Sequence, residues 1–164
     1  MRTTEENLQE AFAGESQANR KYLAFAKQAD KEKYPQAARL FRAAAAAETI
    51  HAHAHLKAMK GIGTTAANLK EALAGETHEF TKMYPDMIKT AEAEGKKTAA
   101  RSFRYANEVE KTHAALYKKA MDTLENPEAC DYYICSVCGH THEKEAPETC
   151  PVCGAKASAF FKSE

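Results

Sequence analysis

The chain has 164 residues, 44% of them apolar, and its 23 Lys plus Arg balance 23 Asp plus Glu. Such a length supports one buried core, with any short appendage needing a metal or disulfides to fold. Zero net charge leaves no basic stripe to follow phosphates, which excludes a nucleic-acid partner; no signal-like leader or bilayer-length apolar run occurs, so a soluble cytoplasmic protein with no membrane partner is expected.

Ala, Leu, Glu, Lys and Arg dominate up to the mid-120s, which predicts helices over 4–31, 35–60, 68–94 and 96–124. Pro35 suits the first turn of the second helix, and Gly61-Ile62-Gly63 ends it. Pro85 lies inside the third helix, where a missing backbone donor predicts a kink a turn or two beyond Glu79.

These helices fall into an internal repeat. Ala11-Phe12-Ala13-Gly14-Glu15-Ser16 returns as Ala72-Leu73-Ala74-Gly75-Glu76-Thr77 at an offset of 61, and Ala37-Ala38-Arg39-Leu40-Phe41-Arg42 returns as Ala99-Ala100-Arg101-Ser102-Phe103-Arg104 at 62. The larger offset carries Glu48 onto Glu110 and His51 onto His113. Each repeat is expected to be a helical hairpin, giving one domain over 1–129.

Residues three apart share a helix face, so Glu48 with His51, and Glu110 with His113, each aim a carboxylate and an imidazole the same way. Two such pairs plus one Glu from each remaining helix, here Glu15 and Glu76, form the ligand set with which a helical bundle holds two divalent ions. That donor mix suits iron or manganese. Chance could produce one Glu-x-x-His in a chain this rich in Ala and Glu, but it does not explain two at matching repeat positions. Four acids at one level of a core would be severely destabilising without a cation.

Glu79 breaks the symmetry, because its counterpart is Ala18; it is a seventh ligand candidate that would make the two metal positions inequivalent. Tyr22 and Tyr84 correspond at offset 62 and could hydrogen-bond ligand carboxylates, or serve simply as core aromatics. His53, His55 and His78 lie off the ligand face and are read as surface or packing residues.

A tail over 130–164 follows Leu124-Glu125-Asn126-Pro127, where short strands and metal-binding turns are expected. Cys135-x-x-Cys138 and Cys150-x-x-Cys153 form paired knuckles that close a four-sulfur metal site. From the tail alone a structural zinc and an iron are equally good readings. A metal pair that changes oxidation state needs an electron source, which zinc cannot be, so iron is favoured. Cys130 is read as an ordinary linker thiol, and His140 and His142 as spectators.

With Ala-Gly-Glu15, Glu48-Thr-Ile-His51, Ala-Gly-Glu76-Thr-His-Glu79, Glu110-Lys-Thr-His113 and both knuckles in place, the chain resembles a rubrerythrin along nearly its whole length. The resemblance implies a mainly α fold, a ferritin-like four-helix bundle holding two iron ions, followed by a rubredoxin-like β module holding one iron on Cys135, Cys138, Cys150 and Cys153. It implies a peroxidase that reduces hydrogen peroxide to water in oxidative-stress defence, with electrons relayed from NAD(P)H by a reductase or rubredoxin through the four-cysteine iron. Glu48 and Glu110 would bridge the irons, with Glu15, Glu76 and His113 completing their shells. One iron would exchange Glu79 for His51 on reduction. Ferritin-like iron oxidation or storage is the rival reading, and the electron-entry tail argues against it; a zinc-ribbon scaffold or metal sensor is another.

The family's bundle sets the second and third helices parallel, so residues 60–68 must regain roughly 22 Å of axial travel, against an extended reach of about 30 Å that also has to cross sideways. The tightness of that link leads to the expectation that the second helix runs on and that hairpins are exchanged in a homodimer. Each site would then take Glu15, Glu48 and His51 from one subunit and the rest from its partner. A homodimer is also what the resemblance implies, with the four-cysteine iron of one subunit serving the partner's iron pair.

Overall fold

The computed structural model describes residues 2–164, in two compact units, residues 2–63 and 64–164. The first is a hairpin of α1 (Thr4–Lys31) and α2 (Pro35–Ala58). Thr3 and Glu6 start α1 with a reciprocal capping box: the Glu6 N–H donates to Thr3 Oγ1 at 3.1 Å, and the Thr3 N–H donates to Glu6 Oε2 at 2.7 Å. At the tip Lys33 turns the chain with φ 63, and Pro35 opens α2, as expected.

Alanine builds the contact surface. Ala26, Ala29, Ala38, Ala45 and Ala52 are buried, and side chains this small let helix axes approach closely. Tyr22, Phe25 and Phe41 of the same two helices form an aromatic group with centroids 5.5–6.3 Å apart. The expectation that the second helix runs on is not met. After Ala58 the Gly61 N–H turns back to Leu56 O at 3.0 Å while Lys60 takes φ 57, and this left-handed closure stops the helix.

The second unit repeats the hairpin with one change. The predicted third helix is split into α3 (Thr65–His78), a π-turn (Glu79–Met83) and α4 (Tyr84–Ala93), which pack against α5 (Lys97–Asp122). The anticipated kink at Pro85 is therefore a widened turn that begins at Glu79. Its closing bond runs from the Tyr84 N–H to Glu79 O, five residues back. Pro85 opens the helix beyond it, where its missing donor costs little. One residue more than in the first repeat has been inserted between Thr77 and Tyr84, which is the step from offset 61 to 62, and a π-turn absorbs an insertion without ending a helix.

The repeat also preserves an ion pair across the hairpin end: Arg42 Nη1 lies 2.8 Å from Asp30 Oδ2, and Arg104 pairs with Glu92 at the equivalent place. The same unit carries a three-stranded antiparallel sheet in the order β2-β1-β3, formed by β1 (Tyr132–Cys135), β2 (Thr141–Glu143) and β3 (Phe160–Lys162). Strand β2 touches α5, where Lys119 Nζ lies 2.7 Å from Glu143 Oε1. Among the described residues no helix is long and apolar enough to cross a membrane.

Candidate metal centres

Glu15 on α1 meets Glu48 and His51 on α2, with ligand atoms of all three within 4.8 Å of one another. The i,i+3 spacing turns His51 Nδ1 onto Glu48 Oε2 at 2.9 Å. One turn beyond Glu15, Asn19 Nδ2 donates to Ala45 O at 2.7 Å and to Thr49 Oγ1 at 2.8 Å, locking the two helices at the level of the cluster. Asn19 was not among the predicted site residues, since nothing in its sequence context distinguishes it from a solvated helix Asn.

The second hairpin repeats the arrangement. Glu76 on α3 meets Glu110 and His113 on α5, again within 4.8 Å. His113 Nδ1 lies 2.7 Å from Glu110 Oε2 and 3.7 Å from Glu76 Oε1. Burial, a hydrogen bond to Glu110 and the charges of Glu110 and Glu79 push the Glu76 carboxyl up to about 7, against the pull of His113. The Glu110 carboxyl is also raised, by burial first and by Glu79, while the hydrogen bond from Glu76 opposes the rise.

Glu79 does not join the converging atoms of Glu76, Glu110 and His113. It stands at the start of the π-turn, near enough for its charge to act on both neighbouring carboxyls and on Tyr84. The Tyr84 phenol is raised by burial and then by the charges of Glu79, Glu110 and Glu76. Tyr22, its counterpart, packs its ring with Phe25 and Phe41. His53 and His78 are exposed and His55 is half-buried, all outside both clusters.

In the small module all four knuckle sulfurs lie within 4.8 Å of one another, with Cys135 to Cys153 at 3.7 Å and Cys138 to Cys150 at 3.6 Å. A tetrahedral metal with sulfurs at about 2.3 Å has edges of about 3.8 Å, so the pocket has the size of a four-thiolate site. Gly139 at φ 87 and Gly154 at φ 75 close the two knuckles, and their N–H groups return to Cys135 O at 2.8 Å and Cys150 O at 3.0 Å. Burial and crowding by other sulfurs push the Cys138 thiol up although the His140 N–H opposes this. At Cys135 burial is outweighed by the Cys138 and Val137 N–H groups and by the Cys153 and Cys138 side chains, and the thiol is lowered. Four thiols in mutual reach cannot all ionise without a cation, and the donor set is soft; the clustered carboxylates and imidazoles upstream pose the same demand with harder donors. Both sets fit the metals inferred for them.

One residue of the module, Thr141, went unrecognised as a site neighbour. Thr141 Oγ1 lies 3.0 Å from His113 Nε2. The His140 ring is buried, edge-on to Phe160, and its nitrogens have no partner among the described residues. Beside Glu76, His113 and Thr141 a cleft of about 370 Å³ opens, walled on its apolar side by Leu69, Leu116 and Tyr132.

The family model Rubrerythrin matches residues 6–121, and the model of the rubrerythrin rubredoxin-like domain matches residues 133–161. Rubrerythrin-2 of Clostridium acetobutylicum is 37% identical over 96% of this chain and 95% of its own. Nigerythrin of Nitratidesulfovibrio vulgaris is 38% identical over 96% of this chain and 85% of its own. A nigerythrin structure in a partially reduced state aligns with a TM-score of 0.61 at 34% identity, covering 99% of this chain and 88% of that one. The chain therefore belongs to the rubrerythrin family, with a ferritin-like di-iron helical domain followed by a rubredoxin-like domain whose four cysteines hold a further iron.

Proposed function

We propose that the protein is a cytoplasmic peroxidase of oxidative-stress defence, in which hydrogen peroxide, two protons and two electrons become two molecules of water. The observation that carries this reading is the joining, in one chain, of two carboxylate-histidine clusters to a four-sulfur knuckle. A centre that only stored iron would need no electron-entry module. Solved states of nigerythrin described as partially reduced and as fully reduced, all ferrous, support redox cycling in a relative.

When bound, the iron pair supplies redox-active cations that polarise the peroxide oxygens and deliver the electrons. The chain supplies the rest. Glu48 and Glu110 would hold both ions jointly, Glu15, Glu76 and His113 would complete the ligand set, and Glu79 and His51 would be the exchangeable ligands. Glu79 suits that role because it sits at a π-turn, outside the tight cluster yet within its field. His51 suits it because its side chain is 56% exposed, against 28% for His113. Tyr22 and Tyr84 would donate hydrogen bonds to the ligand carboxylates. Electrons reach Cys135, Cys138, Cys150 and Cys153 from NAD(P)H through a reductase or rubredoxin. In domain terms residues 1–129 carry the peroxide chemistry and 130–164 the electron entry.

Each hairpin carries three ligands, half of a two-metal set. From His51 to the end of α2 at Ala58, and from the start of α3 at Thr65 to Glu76, the helices take up about 27 Å of axial travel at about 1.5 Å per residue. The chain from Ala58 to Thr65 extends at most about 25 Å. For a bundle whose second and third helices run parallel, so short a link favours half-sets drawn from two chains. The site is accordingly a homodimer product, with hairpins exchanged between subunits.

Anaerobic reduction of the iron-loaded protein followed by hydrogen peroxide tests the activity: both kinds of iron centre should reoxidise with repeated turnover. Oxidation of added ferrous iron without turnover would instead favour storage. Exchange is tested by co-refolding a Glu15→Ala/Glu48→Ala chain with a Glu76→Ala/Glu110→Ala chain. Exchanged hairpins reunite one intact set per mixed dimer and restore metal binding, whereas unexchanged chains restore none.

A further inference from the structure

His113 and His51 occupy equivalent positions in the repeat and face their Glu partners alike through Nδ1. Their far nitrogens differ. His51 Nε2 has no hydrogen-bond partner among the described residues, whereas His113 Nε2 lies 3.0 Å from the hydroxyl of Thr141 in β2. With its own proton turned to Gly139 O, 3.5 Å away, that hydroxyl offers a lone pair to Nε2, the nitrogen that carries the ring proton when Nδ1 serves as the ligand atom. An imidazole that donates from Nε2 keeps its Nδ1 lone pair free on the side of Glu110 and Glu76.

Thr141 is held rigidly in turn. It pairs with Ile134 in the sheet, it follows Cys138 by three residues, and the β2 edge is pinned to α5 by Lys119 and Glu143 at 2.7 Å. We propose that Thr141 is the positioning residue of His113: the rubredoxin-like module, through one hydroxyl, fixes the ring of a ligand of the helical metal centre. A module of some 30 residues owes its fold to the metal on its cysteines. Filling the knuckle thus also orders His113, and the two metal centres of the chain are linked in binding. The inference rests on the reading of His113 as a ligand.

The test uses the full chain with zinc in the cysteine site and manganese(II) titrated into the helical centre, free manganese being read by its electron paramagnetic resonance. Manganese does not displace thiolate-bound zinc. Thr141→Val should weaken manganese binding about 10–100-fold, the usual effect of losing a partner behind a histidine ligand, and Thr141→Ser should restore it. Independently, the zinc-loaded, ¹⁵N-histidine-labelled chain should display a slowly exchanging His113 ring N–H that Thr141→Val removes and Thr141→Ser retains. Unchanged affinity in Thr141→Val overturns the inference, with or without loss of that signal. If His113→Ala also leaves affinity unchanged, the ligand reading falls too; if His113→Ala weakens binding while Thr141→Val does not, this inference alone falls.

Discussion

Glu76 on α3 and Glu110 on α5 bring carboxyl oxygens within 4.8 Å of each other beside His113, and burial together with the neighbouring acid favours a proton held between them. Glu76, ordinarily ionising near 4.5, is raised to about 7, chiefly by burial. The folded metal-free protein therefore keeps a proton that the unfolded chain releases. The stability this supplies is complete below about 4.5 and lost as pH rises through about 7. Denaturant melts of the metal-free protein should show stability falling from pH 5 to pH 8, and Glu76→Gln should flatten that slope.

Metal uptake carries the opposite sign. A cation must displace the shared proton, so apparent affinity should rise with pH and level off above about 7. Manganese added in weak buffer should release close to one more proton at pH 6 than at pH 8 per site, read with an indicator dye; equal release at both would contradict the shared proton.

Glu79 stands apart from the converged ligands at the first residue of the π-turn. Glu79→Ala should slow peroxide-driven reoxidation of the reduced protein by at least the roughly tenfold that supporting groups of metal sites contribute. The visible absorption of the four-cysteine iron should be unaltered. Stopped-flow traces of both centres measure this, and unchanged reoxidation would remove Glu79 from the mechanism.

Removing one knuckle sulfur should uncouple the two parts of the chain. Cys138→Ser is expected to abolish the colour of the four-cysteine iron and unfold the module, since the sheet has three short strands and few apolar residues to bury. Far-ultraviolet circular dichroism should keep nearly all its helical signal.

The alanine seam should tolerate no enlargement. Ala38 is 0% exposed between α1 and α2, and Ala38→Leu should cost about 1–3 kcal/mol through overpacking. A thermal melt should show a drop of about 2–4 °C per kcal/mol for a chain of this size.

Much of this protein is written in short-range patterns. Helix ends follow from Thr3, Pro35 and the glycine pair after Lys60. The i,i+3 spacing alone forces Glu48 with His51, and Glu110 with His113, onto one face, and the knuckle spacing alone brings cysteines together in pairs. The offset change from 61 to 62 even contains the π-turn, although an insertion reads as a kink until the backbone displays how it was absorbed. Tertiary structure decided what depends on distant partners: the proton shared by Glu76 and Glu110, the Asn19 lock between α1 and α2, and the grip of Thr141 on His113, 28 residues away. Helical periodicity dictates which side chains share a face, but burial and a hydroxyl arriving from another element arise only when separate segments pack, and no local pattern encodes that.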